Sequence, residues 1–138
     1  MKMQFALTRT LWTLAAAVAI LAALAVASGT LWQGQRRADK IAVAMTGGDI
    51  ARAPDLIRRY GCAGCHTIPG IPGGDGQVGG PLQDVKRRVY VGGVVTNSPD
   101  NMIKWIVSPQ TFSPRSAMPA TGISAAEARD VAAYLYSR

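Results

Sequence analysis

The amino-acid sequence predicts an all-α protein. Residues 11–32 form an uncharged apolar segment of 22 residues. As a helix this segment would reach about 33 Å, enough to cross a bilayer core. Three later segments combine helix-start and helix-stop residues with apolar residues at helical spacing. The βαβ pattern typical of a parallel sheet is absent.

The N-terminal segment, residues 1–32, is predicted to be a membrane anchor. Trp12 and Trp32 stand near its two ends, where amphipathic rings favour the headgroup level of a bilayer. The apolar run is also longer than the core of a typical secretory signal. These features favour a single membrane-spanning helix.

A cleaved secretory signal is the alternative for this segment. Lys2 and Arg9 would serve as its charged start, and Ala25-Val26-Ala27 matches the small-x-small cleavage pattern. Either interpretation sends the following residues across the membrane. The Lys and Arg counts on the two sides are nearly equal, so charge alone does not orient the segment.

The rest of the chain is short and mildly basic. We expect a linker at residues 33–48 and one domain at residues 49–138, since 138 residues leave little room for more. Residues 41–138 carry ten basic and seven acidic side chains that are spread out, which excludes a nucleic-acid-binding protein. Aromatic residues make up only 7%, so we expect a cofactor to complete the core.

A C-A-G-C-H motif is formed by Cys62, Cys65 and His66. This C-x-x-C-H spacing is typical of covalent c-type haem attachment, with two thioethers and a histidine under the iron. A redox dithiol would not need the adjacent histidine. The two thiols could also form a structural disulfide or half of a metal site, but one His and two Cys cannot form a four-ligand zinc site.

From about residue 48 to its end the chain resembles the small, membrane-anchored class I cytochromes c of bacteria. The resemblance rests on the C-A-G-C-H motif and the exported position of the domain. It implies a few helices around one covalently attached haem c, His and Met axial ligands, and one-electron transfer outside the cytoplasmic membrane. It also implies that the protein is not an enzyme and takes no small-molecule substrate.

The helices of this domain carry local start and stop signals. The first is predicted at residues 53–60, ending near Gly61. The second begins after Ser98 and stops at Pro109. A capping box, Ser124 with Glu127, starts the third. Its predicted buried face consists of Val131, Tyr134 and Leu135.

A loop at residues 67–81 contains six Gly and three Pro in 15 residues, too many for a regular element. The resemblance implies that the Pro81 carbonyl accepts the Nδ1 proton of His66, which would fix the ring. An ordinary turn proline is the alternative.

The resemblance also implies a methionine as the second iron ligand. Met102 lies on the apolar face of a predicted helix, where methionine usually fills the core. Met118 is followed by Pro119, which favours extended backbone and lets the thioether project from a loop. We therefore expect His66 and Met118 to ligate the iron.

Three further side chains are predicted to surround the haem propionates, by analogy with the family. Arg88 is the predicted partner of these carboxylates, because guanidinium groups bind carboxylates in a bidentate manner. Tyr90 and Trp105 are expected beside it. A solvated charge run at Arg88, and core packing at Trp105, are the alternatives.

A thioether ligand raises the reduction potential, which suits the high-potential end of respiration. We therefore expect a respiratory electron carrier at the periplasmic side of the bacterial inner membrane, either a subunit of or a donor to a haem-copper terminal oxidase. An upstream reductase or dehydrogenase is its other expected partner. A soluble periplasmic carrier and a haem enzyme or gas sensor with an open iron position are the alternatives.

Overall fold

A computed structural model describes the backbone of residues 2–138 and the side chains of residue 12 and residues 14–138. This part of the chain is mostly helical, which confirms the all-α prediction. Its five α-helices are α1 (Lys2–Thr46), α2 (Ala53–Arg59), α3 (Cys62–Cys65), α4 (Pro99–Val107) and α5 (Ala125–Ser137). Two 3₁₀-helices, Val85–Arg87 and Pro109–Thr111, and a two-stranded hairpin complete the fold.

The chain divides into two units, the first ending at Arg36 and the second comprising Arg37–Arg138. In the first unit, apolar side chains are exposed, including Trp12 and Trp32. α1 is long and apolar enough to cross a membrane by length and composition alone, over Leu14–Thr46. The side chains of the predicted charged flank, Lys2 and Arg9, lie outside the described residues.

The segment predicted as a linker is largely helical, because α1 continues to Thr46. Ala42 is buried in the core of the second unit, and Thr46 is also buried. The Thr46 hydroxyl donates to the Ala42 carbonyl at 2.8 Å and accepts from the amide of Gly48 at 3.2 Å. Alanine, which is frequent in this part of α1, is the strongest helix former and packs closely.

Helix α5 is the centre of the second unit, and α2 and α4 both pack against it. All three residues predicted for its buried face are at most 4% exposed. α2 contributes Leu56 and Ile57, and α4 contributes Met102 and Ile106, to the same apolar core. The sequence therefore places the buried face of α5 correctly.

The predicted helix caps are present. The Ser98 side chain accepts from the amide of Asn101 at 3.2 Å at the start of α4. At α5, the Ser124 side chain accepts from the Glu127 amide while the Glu127 carboxylate accepts from the Ser124 amide, so the capping box is complete.

A short antiparallel hairpin, which the sequence did not predict, joins β1 (Tyr90–Val91) to β2 (Val95–Thr96). Gly92 and Gly93 lie between the strands with φ of 57° and 72°. A Cβ atom added to Gly92 would lie 2.3 Å from the Trp105 ring. Only glycine lets the hairpin approach the indole this closely.

Glu127 joins the end of α2 to the start of α5. Its carboxylate accepts from the Tyr60 hydroxyl at 2.9 Å and lies 3.5 Å from the Arg59 guanidinium. Hydrogen bonds from the Ser124 side chain and backbone, and then from Tyr60, lower the pKa of Glu127 below its ordinary value of 4.5. Ionised Glu127 therefore stabilises the folded state.

This link predicts an acid-dependent loss of stability. A carboxyl group whose pKa is lower in the folded protein stabilises fully above its unfolded pKa, and this contribution disappears as the pH falls through the folded pKa. The wild type should melt higher than Glu127→Gln at pH 7, and the difference should shrink below about pH 4.5. Thermal melting of the two proteins across this pH range measures the difference between their melting temperatures. A difference that does not change with pH would contradict the role of the carboxylate.

Candidate functional site

The motif residues lie at a break between two helices. Gly61 has a φ of 70°, which ends the path of α2 and starts the single turn of α3. The turn brings Cys62 and Cys65 into a half-buried region with both thiols free. Burial raises the pKa of the Cys62 thiol above its ordinary value. The His66 amide donates to the Cys62 carbonyl at 3.0 Å and closes the turn.

The His66 ring is fixed by the backbone of the loop. Its Nδ1 atom lies 2.7 Å from the carbonyl oxygen of Gly80. Because a carbonyl oxygen only accepts, we assign the proton to Nδ1, which leaves the Nε2 lone pair free. Nε2 has no hydrogen-bond partner among the described residues. Such a nitrogen is suited to bind a metal.

The acceptor differs from the sequence prediction, which named Pro81. The Pro81 carbonyl instead accepts from the Arg88 guanidinium, which also donates to the Gln83 carbonyl at 3.1 Å. A backbone carbonyl therefore accepts from Nδ1 of His66 as expected, but it belongs to Gly80, one position before the predicted Pro81. The path of the loop beside the His66 ring determines which carbonyl reaches Nδ1.

That path depends on Gly79. Its amide donates to the Cys65 carbonyl at 2.7 Å, which holds the loop against α3. A Cβ atom added to Gly79 would lie 2.3 Å from Cε1 of His66. As predicted, residues 67–81 contain no helix or strand, apart from an isolated bridge between Thr67 and Asp75.

The predicted site residues converge on two neighbouring cavities. The larger, of about 260 Å³, has six of them in its walls: Cys62, His66, Arg88, Tyr90, Trp105 and Met118. The smaller, of about 110 Å³, shares Cys62, His66 and Met118 with it and adds Cys65. Pro81 lines neither cavity. The side chains that complete the larger cavity are mainly apolar and come from α2, α4 and α5, from the loop after His66, from the 3₁₀-helix Val85–Arg87 and from the hairpin.

Asn97, which the sequence did not single out, connects two residues of the larger cavity wall with the C-terminal part of α5. Its side-chain amide donates to the carbonyls of Val85 and Arg88, both at 2.8 Å. Its side-chain oxygen accepts from the Tyr136 hydroxyl at 2.6 Å. Burial raises the pKa of Tyr136 to about 12, so this hydroxyl remains a donor at neutral pH. The position of Asn97 directly before the helix cap Ser98 was the only local feature of the sequence that could have drawn attention to this residue.

Gln110 was not predicted either. It lies in the 3₁₀-helix Pro109–Thr111, and its side-chain amide donates to the Met118 carbonyl at 2.7 Å. The Met118 amide donates in turn to the Ser116 hydroxyl at 3.2 Å. No sequence pattern connects Gln110 with a residue eight positions later.

These residues fit the haem that the motif implies. Cys62, His66 and Met118 line both of these mainly apolar cavities, and Cys65 lines the smaller one, with both thiols free. No group of three or more His, Cys, Asp or Glu side chains that could hold a metal ion occurs among the described residues. The donor set therefore suits a cofactor that brings its own equatorial ligands.

Comparison with known families gives one match. The family model described as Cytochrome c matches residues 50–138, nearly two thirds of the chain. No curated protein and no solved structure matches the chain significantly. The match covers the motif, the loop, the hairpin and helices α2 to α5.

The contact at Gly79 predicts a position-specific effect of one methyl group. Gly79→Ala should displace the loop or the His66 ring, at a cost of about 1–3 kcal/mol. It should also lower the yield of protein with attached haem. Gly80→Ala is the matched control, because a Cβ atom there meets nothing within 4 Å. Denaturant unfolding and haem content after acid-acetone extraction measure both effects. Equal behaviour of the two variants would refute this account of the loop.

Proposed function

Because the chain belongs to the cytochrome c family, we propose that residues 49–138 form a class I, single-haem domain with His66 and Met118 as iron ligands. Cytochromes c are generally electron-transfer proteins rather than enzymes and carry covalent haem c. The observation that carries the finer proposal is the convergence of Cys62, Cys65, His66 and Met118 on two cavities with shared walls.

Cys62 and Cys65 would hold the haem through thioethers, and His66 would bind its iron through Nε2. The hydrogen bond from Nδ1 to the Gly80 carbonyl favours the required tautomer and makes the ligand more basic. The bound haem would supply an iron that gains and loses one electron. The apolar side chains around the cavity would exclude water from it.

Met118 is the proposed second ligand. It lines both cavities and lies in a segment without regular secondary structure. Met102 also lines the larger cavity, but it is 6% exposed and packs within the core face of α4. Met45 lies in α1 and is 48% exposed. A thioether from a loop can adjust its position more freely than one packed in a helix.

Arg88, Tyr90 and Trp105 are the proposed neighbours of the haem carboxylates. All three line the larger cavity, and Tyr90 is 56% exposed, as expected at an open edge. Arg88 has five N–H donors, so its bonds to the Pro81 and Gln83 carbonyls leave others for a carboxylate. Those bonds also restrict its side chain.

The N-terminal helix is proposed to anchor the domain at the outer face of the inner membrane. Its exposed apolar surface and the Trp residues near the ends of the apolar segment 11–32 support this role, and small residues allow close packing beside other membrane helices. The proposed partners are a haem-copper terminal oxidase and an upstream reductase or dehydrogenase. The alternative is a soluble periplasmic carrier, because a signal sequence also passes the length and composition test.

The ligand assignment predicts different effects of two methionine substitutions. Met118→Leu should keep the covalent haem but lower the reduction potential by on the order of 0.1 V, a fraction of the range that axial ligands set. The open iron position should then bind carbon monoxide. Met102→Leu is the matched control and should change neither property. Redox titration and carbon monoxide difference spectra measure both, and the reverse pattern would identify Met102 as the ligand.

The anchor predicts a difference in electron delivery. A form beginning at Ala38 keeps Asp39, whose carboxylate pairs with Arg138 at 3.2 Å. It should fold and react normally with artificial reductants. At equal haem, its rate of oxygen uptake should be lower than that of the full chain by a factor on the order of ten or more. The reason is that tethering raises the effective concentration of the carrier at its membrane partner.

The assay uses membranes that lack the native protein. The intact mass of the membrane-bound form shows whether the N-terminal segment is retained. Equal uptake rates, or a mass that corresponds to cleavage after Ala27, would favour the soluble carrier.

A further inference from the structure

The segment that carries Met118 has little backbone support. Among the described residues, those at positions 117–123 make no backbone-to-backbone hydrogen bond. Pro119, which follows Met118, has no amide proton to donate. The position of Met118 in the cavity wall must therefore depend on other contacts.

Side chains provide two of these contacts at Met118 itself. The Gln110 amide nitrogen lies 2.7 Å from the Met118 carbonyl, and the Ser116 hydroxyl accepts from the Met118 amide at 3.2 Å. The same Gln110 nitrogen lies 3.5 Å from the Ser116 carbonyl. Ser116 lies only two positions before Met118, whereas Gln110 lies in a separate element.

Gln110 is itself held firmly. Pro109, the preceding residue, is one of the largest fully buried side chains and anchors the 3₁₀-helix Pro109–Thr111 directly after α4. The Thr111 hydroxyl donates to the Ser108 side chain at 3.0 Å. Gln110 is half-buried, so its amide is partly shielded from competing water.

We infer that Gln110 is a positioning residue that fixes the Met118 segment to the core and so keeps the thioether at the iron. This inference rests on the proposed ligation by Met118. Gln110 does not line either cavity and acts only through the Met118 backbone. The role requires an N–H donor, because the Met118 carbonyl can only accept.

The requirement for a donor distinguishes positioning from packing. Gln110→Glu keeps the size of the side chain but, when ionised, places an acceptor against the Met118 carbonyl. Gln110→Ala removes the contact altogether. Gln77, which is exposed in the loop, offers matched controls as Gln77→Glu and Gln77→Ala.

The test is a titration of the ferric, full-length holoprotein with imidazole, which competes with Met118 for the iron. Loss of one hydrogen bond should raise the apparent imidazole affinity about fivefold in both Gln110 variants. This factor corresponds to the net free energy that a typical hydrogen bond contributes. The Gln77 variants should match the wild type. Covalent haem content and far-UV circular dichroism should be unchanged in every variant.

Met118→Leu is titrated in parallel and separates the two proposals. If it binds imidazole more tightly while both Gln110 variants match the wild type, the positioning role of Gln110 is wrong and the ligation by Met118 stands. If Met118→Leu also matches the wild type, both proposals fail. A Gln110 variant that unfolds more easily in denaturant without any change in imidazole affinity would assign Gln110 a structural role only.

Discussion

The His66 ring is held between two pieces of backbone, and the rest of the site is built around it. The His66 amide closes the turn of α3, and the ring donates from Nδ1 to the Gly80 carbonyl. Gly79 lies so close to the ring that no side chain fits between them. Both ends of the residue are restrained, His66 lines both cavities, and its Nε2 has no hydrogen-bond partner among the described residues. A metal ligand fixed in this way loses little conformational entropy on binding.

The cavity explains how a domain with few aromatic residues forms a core. Helices α2, α4 and α5 contribute apolar side chains that surround the space rather than fill it. A haem in this position would complete the core, so cofactor attachment and folding should support each other. Asn97 donates to the carbonyls of Val85 and Arg88, two residues in the wall of this space.

Much of the helical structure was predictable because its signals are local. Ser98 and the Ser124–Glu127 box define helix starts through contacts within three residues. The C-A-G-C-H motif is likewise contiguous, so its half-buried turn could be expected. The extension of α1 to Thr46 was not predicted, because its support comes from packing of Ala42 in the core.

The parts of the site that were not predicted depend on contacts between residues that are separated in the chain. The choice between the Gly80 and Pro81 carbonyls depends on how closely Gly79 approaches His66, which composition does not indicate. The bond from Tyr136 to Asn97 spans 39 positions. The resemblance implied a methionine ligand and the Met118-Pro119 pattern selected Met118, but neither indicated the amide that holds its carbonyl.

The central claim is that the nitrogen of His66 and the sulfur of Met118 bind the same iron. X-ray absorption at the iron edge of the full-length holoprotein, in the ferric and ferrous states, tests it most directly. The account predicts a six-coordinate iron with a single sulfur neighbour among nitrogen ligands in both states. An iron surrounded by nitrogen alone, or a five-coordinate iron, would contradict it.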